Sequence, residues 1–202
     1  PHGSIRRQRQ MCIRDSLFME FHGSNAGVAD QSHTMAEIIK EFNGGDFQWS
    51  TKPEDRNKLW AARHQAYYAT KALFPKQIGM STDVCVPISK LAKAISDTQD
   101  DLKKFDVVGS IIGHVGDGNY HTLMFCDPNN PKELVRNKLL AHRMAQRALD
   151  VGGTVTGEHG IGMGKLDYMA QEHGEALTVM SDLKRLFDPK NIMNPGKMID
   201  LN

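Results

Sequence analysis

The spacing of apolar residues along the chain predicts helices interleaved with short strands. In the segment 31–42, Met35, Ile38 and Phe42 fall on one helical face, and the glycines at 44 and 45 follow them. Similar patterns predict helices over 51–72, 89–102, 132–151 and 175–187, and strands over 17–21, 82–86, 107–112, 123–125 and 154–156. This order predicts an α+β fold, an antiparallel sheet with helices packed on one face, followed by a C-terminal helical segment.

A hairpin is the clearest local prediction, and it carries two histidines. Asp117-Gly118 is a strong two-residue turn signal, and it lies between two apolar runs. Folding the chain at this turn places His114 opposite His121, with Cβ atoms about 4.5–5.5 Å apart. Both imidazoles could then reach one metal ion. The alternative is an ordinary hairpin with two incidental histidines.

A glycine-rich segment, Gly-Glu-His-Gly-Ile-Gly at 157–162, supplies a candidate third ligand in Glu158. Two histidines and one carboxylate leave coordination positions open, as a catalytic metal site requires, and zinc, manganese or iron(II) would suit them. The alternative for Glu158 is a surface loop carboxylate. Neighbouring side chains diverge, so His159 need not bind the same ion, and a free imidazole there is suited to general base chemistry.

Composition narrows the function classes. The net charge of +1 gives no electrostatic reason to expect nucleic acid or an anionic membrane as partner. No apolar run approaches the roughly 20 residues of a membrane-spanning helix.

Arg63 shares a predicted helix with Trp60 and Tyr67, and its guanidinium could bind a substrate carboxylate. The alternative for Arg63 is a surface arginine whose stem covers apolar side chains.

The first residues differ from the rest of the chain. The segment 1–16 carries several arginines and no acidic residue before Asp15. It is either a disordered leader, such as the remnant of a transit peptide, or an artefact of transcript assembly. We favour the artefact and place the folded domain at 17–202.

Three motifs together resemble one known family. They are His-Val-Gly-Asp-Gly-Asn-Tyr-His at 114–121, Gly-Glu-His-Gly-Ile-Gly-Met-Gly-Lys at 157–165 and Asp-Pro-Lys-Asn-Ile-Met-Asn-Pro-Gly-Lys at 188–197. They resemble the C-terminal half of FAD-linked 2-hydroxyacid dehydrogenases of the vanillyl-alcohol-oxidase type, and within that family the D-lactate dehydrogenase (cytochrome) subgroup. The resemblance implies a ferredoxin-like α+β cap. It also implies that 17–202 is the FAD-linked oxidase C-terminal domain, without the N-terminal FAD-binding domain.

The resemblance also implies roles for particular residues and a reaction. The roles are divalent metal ligands for His114, His121 and Glu158, the base for His159, substrate binding for Arg63, and proximity to FAD for Asn194 and Lys197. The reaction implied is oxidation of D-lactate to pyruvate, with the hydride passing to FAD and the electrons then to cytochrome c or a quinone. The enzyme would be mitochondrial in a eukaryote and cytoplasmic in a bacterium.

Alternatives remain at the level of substrate and of class. Enzymes of the same family that oxidise D-2-hydroxyglutarate or glycolate share the metal motifs. A metal-dependent hydrolase without flavin could use the same ligands with an activated water. A third possibility is an inactive binding module. We expect the chain alone to bind FAD poorly and to lack dehydrogenase activity, because its own FAD domain would be its partner in catalysis.

Overall fold

The computed structural model describes residues 16–45, 47 and 49–201. The chain divides into two compact units, Pro1–Ala72 and Leu73–Asn202. The leader or artefact predicted at 1–16 lies outside the described residues, except for Ser16. Among the helices of the described part, none is long and apolar enough to cross a membrane.

The described residues of the first unit form two helices, α1 (Asn25–Glu41) and α2 (Pro53–Ala72). α2 agrees closely with the sequence prediction. α1 begins six residues before its predicted start, because Ser24 caps it by accepting a hydrogen bond from the Gly27 N–H. The apolar periodicity of this segment does not extend to the cap, so it could not mark the start of the helix.

The strand predicted at 17–21 is wrong, since these residues pair with no other strand in the described structure. Two of their side chains contact α2 instead. The ring centroid of Phe18 lies 6.3 Å from that of Trp60, and Glu20 forms an ion pair with Arg56 at 3.8 Å. The apolar side chain of Phe18 therefore packs against a helix and not within a sheet.

The second unit is built on an antiparallel sheet. Its described strands are β1 (Ile78–Ser81), β2 (Val84–Cys85), β3 (Val108–His114) and β4 (Asn119–Cys126). β4 is central, with β3 along one side and both β1 and β2 along the other. The strand predicted at 82–86 is therefore shortened to β2, and Thr82 and Asp83 lie in a gap between β2 and β1, a strand that was not predicted.

Helices α3 (Ile88–Lys104) and α4 (Pro131–Asp150) pack on one face of this sheet. The core lies between them and the strands, and its buried members include Tyr120, Met124, Leu140 and Met144. The predicted α+β architecture, with helices on one face of an antiparallel sheet, is confirmed.

The rest of the second unit consists of short elements and one longer helix. The strand predicted at 154–156 is reduced to a single bridge between Thr154 and Cys85. Two helices follow, α5 (Met169–His173) and α6 (Ala176–Phe187), and they form the predicted C-terminal helical segment.

The alternation of side chains along β4 determines which face of the sheet carries the candidate site. Tyr120 and Met124 face the helices, so His121 and Leu123 project from the opposite face. The candidate site is therefore on the face of the sheet that α3 and α4 leave uncovered.

Candidate metal centre

The hairpin between β3 and β4 forms, but with a longer loop than predicted. His114 pairs with Asn119 and Ile112 pairs with His121, so the prediction that His114 lies directly opposite His121 is wrong. Val115–Asp117 form a 3-10 turn, and Gly118 follows with φ of +78°. A Cβ at Gly118 would lie 2.0 Å from the carbonyl oxygen of Val86, a contact that local sequence could not reveal.

The two histidines nevertheless remain on one face, because the register differs from the prediction by two residues. They are diagonal neighbours, with ring centroids 6.3 Å apart. Glu158 completes the group. Its Oε1 lies 2.9 Å from His121 Nε2 and 3.7 Å from His114 Nε2. One ligand atom from each of the three residues lies within 4.8 Å of the others, so the fold brings the predicted ligands together.

A hydrogen bond to backbone fixes the orientation of His121. Its Nδ1 lies 3.1 Å from the carbonyl oxygen of Thr82. A carbonyl can only accept, so Nδ1 carries the proton and donates. Nε2 is the atom that faces Glu158. Metal-binding histidines commonly show this arrangement, in which one ring nitrogen is held by a backbone carbonyl and the other is the ligand.

Asp83 is the residue of this site that sequence analysis missed. It lies in the gap between β1 and β2 and is almost completely buried. Its carboxylate accepts hydrogen bonds from the following described donors: Asn119 Nδ2 at 2.8 Å, Thr156 Oγ1 at 3.1 Å, Glu158 N at 3.1 Å, His159 N at 2.8 Å and Lys165 Nζ at 3.4 Å. The sequence did offer one signal, a charged residue within an apolar predicted strand. Such a carboxylate would be buried, and a buried carboxylate requires hydrogen-bonding partners.

These contacts keep Asp83 ionised. Burial acts to raise its pKa, but the hydrogen bonds from the His159 N–H, the Asn119 amide and the Glu158 N–H outweigh burial, with help from the charge of Lys165. The pKa of Asp83 therefore lies well below its usual range. Burial also lowers the pKa of Lys165, although the charge of Asp83 opposes that shift.

Two groups of side chains in the described structure have metal-binding geometry, and they share His121. One adds His114 and Glu158, and the other adds Asp83 and His159. The Asp83 carboxylate is already surrounded by donors, so coordination of a cation would break several of its hydrogen bonds. The Glu158 carboxylate is half exposed and faces imidazole nitrogens. The group of His114, His121 and Glu158 is therefore the better candidate.

His159 lies closer to the ligands than predicted. Its ring stacks on that of His121, with centroids 4.8 Å apart and planes 10° apart. Its Nε2 is 3.8 Å from Glu158 Oε1, so the adjacent side chains of Glu158 and His159 do not diverge. Both backbone N–H groups bind Asp83, which bends this loop so that both side chains reach the region of His121. About half of the His159 side chain remains exposed to solvent.

The glycine-rich segment is also tied to the C-terminal tail. The Met198 N–H donates to the carbonyl oxygen of Gly162 at 2.8 Å. Asn194 and Lys197 lie in the same tail, both exposed, and Lys197 N donates to Asn194 O at 3.3 Å. Their predicted proximity to FAD stays a prediction.

Arg63 lies on α2 in the first unit and is half-buried. Its position on the helix is as predicted. Its predicted contact with a substrate carboxylate stays a prediction.

Comparison with known proteins identifies the family of this chain. Residues 14–198 match the family described as FAD linked oxidases, C-terminal domain. A probable mitochondrial D-lactate dehydrogenase from Danio rerio is 47% identical over 94% of this chain and 38% of its own length. A mitochondrial D-lactate dehydrogenase [cytochrome] from Arabidopsis thaliana is 40% identical over 91% of this chain and 33% of its length. The glycolate oxidase subunit GlcD of Bacillus subtilis is 33% identical over 90% of this chain and 38% of its length.

A solved structure supports the fold. The 4-ethylphenol oxidase from Gulosibacter chungangensis superposes with a TM-score of 0.60 at 16% identity, over 89% of this chain and 38% of that one. The chain thus spans about two fifths or less of these relatives. It belongs to the FAD linked oxidases, C-terminal domain family.

Proposed function

We propose that this chain is the substrate- and metal-binding part of an FAD-dependent D-2-hydroxyacid dehydrogenase that oxidises D-lactate to pyruvate. One observation carries the proposal: ligand atoms of His114, His121 and Glu158 converge, and the imidazole of His121 is held with Nε2 toward the group. Two relatives named as D-lactate dehydrogenases support this substrate. Glycolate is the second candidate, supported by the relative named as a glycolate oxidase subunit.

The residues fit a divalent metal ion. Two imidazole nitrogens and one carboxylate oxygen suit zinc, manganese or iron(II) and leave coordination positions for a substrate. The metal, when bound, would supply Lewis acidity that lowers the pKa of the substrate hydroxyl. The half-exposed side chains of His114 and Glu158 leave this group open to a small molecule.

His159 is the proposed base. Its imidazole is half exposed and stacks on His121, so it lies beside the proposed ligands and is open to a substrate. The backbone bond from His159 to Asp83 fixes the loop while leaving the ring free to take the hydroxyl proton. FAD, when bound, would accept the hydride from C2.

The remaining roles concern substrate and partners. Arg63 is proposed to bind the substrate carboxylate, and Asn194 and Lys197 are proposed to lie close to FAD. The electron acceptor proposed is cytochrome c or a quinone, in mitochondria, in keeping with the names of the two D-lactate dehydrogenase relatives. We further propose that turnover requires a flavin-binding domain together with this one.

The test is metal content together with ligand binding. We expect about one equivalent of divalent metal in the wild-type chain, lost in His114→Ala, His121→Ala and Glu158→Ala. His33→Ala is the matched control, because His33 is exposed on α1 and lies outside the ligand group. Calorimetry of the metal-loaded chain should show that D-lactate binds more tightly than D-2-hydroxyglutarate. The same measurement with glycolate decides whether D-lactate or glycolate is the preferred substrate. A wild-type chain that takes up no added metal, or variants that retain it, would overturn the proposal.

A further inference from the structure

The gap between β1 and β2 has an unusual hydrogen-bond pattern. The register is the same on both sides of the gap, since Ser81 pairs with Leu123 and Val84 pairs with Tyr120. Thr82 is therefore opposite Thr122. The Thr82 N–H donates to the Thr122 carbonyl at 3.1 Å, as a regular ladder requires. The return bond is different, because the Thr122 N–H donates to the Thr82 side-chain oxygen at 2.8 Å.

This exchange frees a backbone acceptor. In a regular antiparallel pair the carbonyl of Thr82 would accept from the Thr122 N–H. Here the hydroxyl oxygen accepts in its place, and its proton points toward Met144 Sδ at 3.7 Å. The released carbonyl accepts from His121 Nδ1 at 3.1 Å and from Ser81 Oγ at 3.2 Å.

We propose that Thr82 is a positioning residue for the metal centre: its hydroxyl replaces its own carbonyl in the strand ladder, so that the carbonyl can hold His121 with Nε2 toward the other ligands. The inference rests on the proposed function, because it gives His121 a role as metal ligand. It goes beyond that function by assigning a task to a residue that touches neither metal nor substrate. Thr82 and Thr122 are both buried, so water does not readily supply the missing bonds.

Two substitutions at Thr82 distinguish the effect of its hydroxyl group from the effect of its side-chain shape. Thr82→Val keeps the volume but removes the acceptor, so the Thr122 N–H must turn back to the Thr82 carbonyl and compete with His121. Thr82→Ser keeps the acceptor. Loss of such a supporting contact commonly costs about 10–100-fold in metal affinity. We therefore expect Zn²⁺ affinity to fall by about 10–100-fold in Thr82→Val and to stay near the wild-type value in Thr82→Ser, measured by competition with a chromogenic chelator.

Thr98→Val is the matched control for a general loss of stability. Thr98 is also fully buried, on α3, and its hydroxyl bonds to Ala94 O and contacts Tyr120 Oη on the helix-covered side of the sheet. We expect this variant to lose stability and keep its Zn²⁺ affinity. Equal losses of Zn²⁺ affinity in Thr82→Val and Thr98→Val would show a structural effect alone and would overturn the inference.

A second readout does not depend on metal. Imidazole ¹⁵N shifts of His121 in the metal-free chain should show the Nδ1–H form in the wild type and in Thr82→Ser, and a loss of that preference in Thr82→Val. If all three chains show the same shifts, the inference is wrong, whatever the metal does. If the shifts change as expected but the wild type takes up no Zn²⁺, the role of Thr82 in orienting His121 stands and the proposed function fails.

Discussion

Replacement of Gly157 by alanine tests how the glycine-rich segment is held. A Cβ at this position would lie 1.7 Å from Asn119 Nδ2 and 2.9 Å from Asp83 Oδ1. Asn119 cannot move aside freely, because it is buried and its amide donates to Asp83 Oδ1 at 2.8 Å and to Val84 O at 3.2 Å. Either the asparagine leaves both acceptors, or the loop that carries Glu158 moves outward.

The size of the effect follows from these two routes. Insertion of a methyl group into a well-packed site usually costs about 1–3 kcal/mol. Loss of the two Asn119 bonds would leave its buried amide without an acceptor, which costs a similar amount, about 1–3 kcal/mol. For a chain of this length, 1 kcal/mol corresponds to roughly 2–4 °C in Tm. We therefore expect the Tm of Gly157→Ala to fall by about 2–12 °C, with a loss of Zn²⁺ affinity of about tenfold or more.

The assay compares two glycine-to-alanine variants of the same loop. Gly164→Ala is the matched control, since a Cβ there meets no described atom within 4 Å and the backbone is not in the left-handed region. Thermal unfolding and Zn²⁺ competition are measured on both variants. If Gly157→Ala has the Tm and the Zn²⁺ affinity of Gly164→Ala, the loop does not pack against Asn119 and Asp83 as the structure shows.

Two further predictions concern the helix-covered side of the sheet. Leu140→Ala should lower the free energy of unfolding by about 2–5 kcal/mol in urea titrations, because Leu140 is 0% exposed, whereas Leu139→Ala, at 44% exposure, should change it far less. Burial raises the pKa of Asp101, but hydrogen bonds from Arg143 and Arg147 outweigh it and leave that pKa lowered. The stabilising contribution of Asp101 should therefore be present above its unfolded-state pKa of about 4 and be lost as pH falls through the lower folded-state value. The free energies of unfolding of wild type and Asp101→Asn, measured by urea titration, should then converge in acid. A difference that stays constant with pH would refute this.

Local patterns were sufficient for the elements that form from contiguous residues. α2 and α4 were predicted closely, because apolar periodicity and helix caps are local signals. The hairpin was predicted with the correct face and the wrong register. Its loop length depends on the close approach of Gly118 to Val86, which lies 32 residues away in the chain.

The candidate site likewise contains residues that the sequence predicted and residues that it did not. Histidine and glutamate are common metal ligands, so the pattern of His114, His121 and Glu158 was sufficient to predict a metal site. Thr82 and Asp83 act through hydrogen bonds to residues 36 or more positions away, as the contacts of Asn119 and His159 with Asp83 show. Nothing in the residues flanking Thr82 and Asp83 indicates those partners. Only the fold shows that a residue between two strands holds a distant loop.

The interruption between β1 and β2 connects two parts of the site. Thr82 offers its carbonyl to His121 in the hairpin, and Asp83 offers its carboxylate to the backbone of Glu158 and His159 in the loop. These two residues are adjacent in the gap between β1 and β2, so the hairpin and the loop are held by one short piece of backbone. In a regular ladder the Thr122 N–H would donate to the Thr82 carbonyl and compete with His121 for that acceptor. The break in the strand is therefore the feature that allows one sheet edge to fix the orientation of His121 and the positions of Glu158 and His159 together.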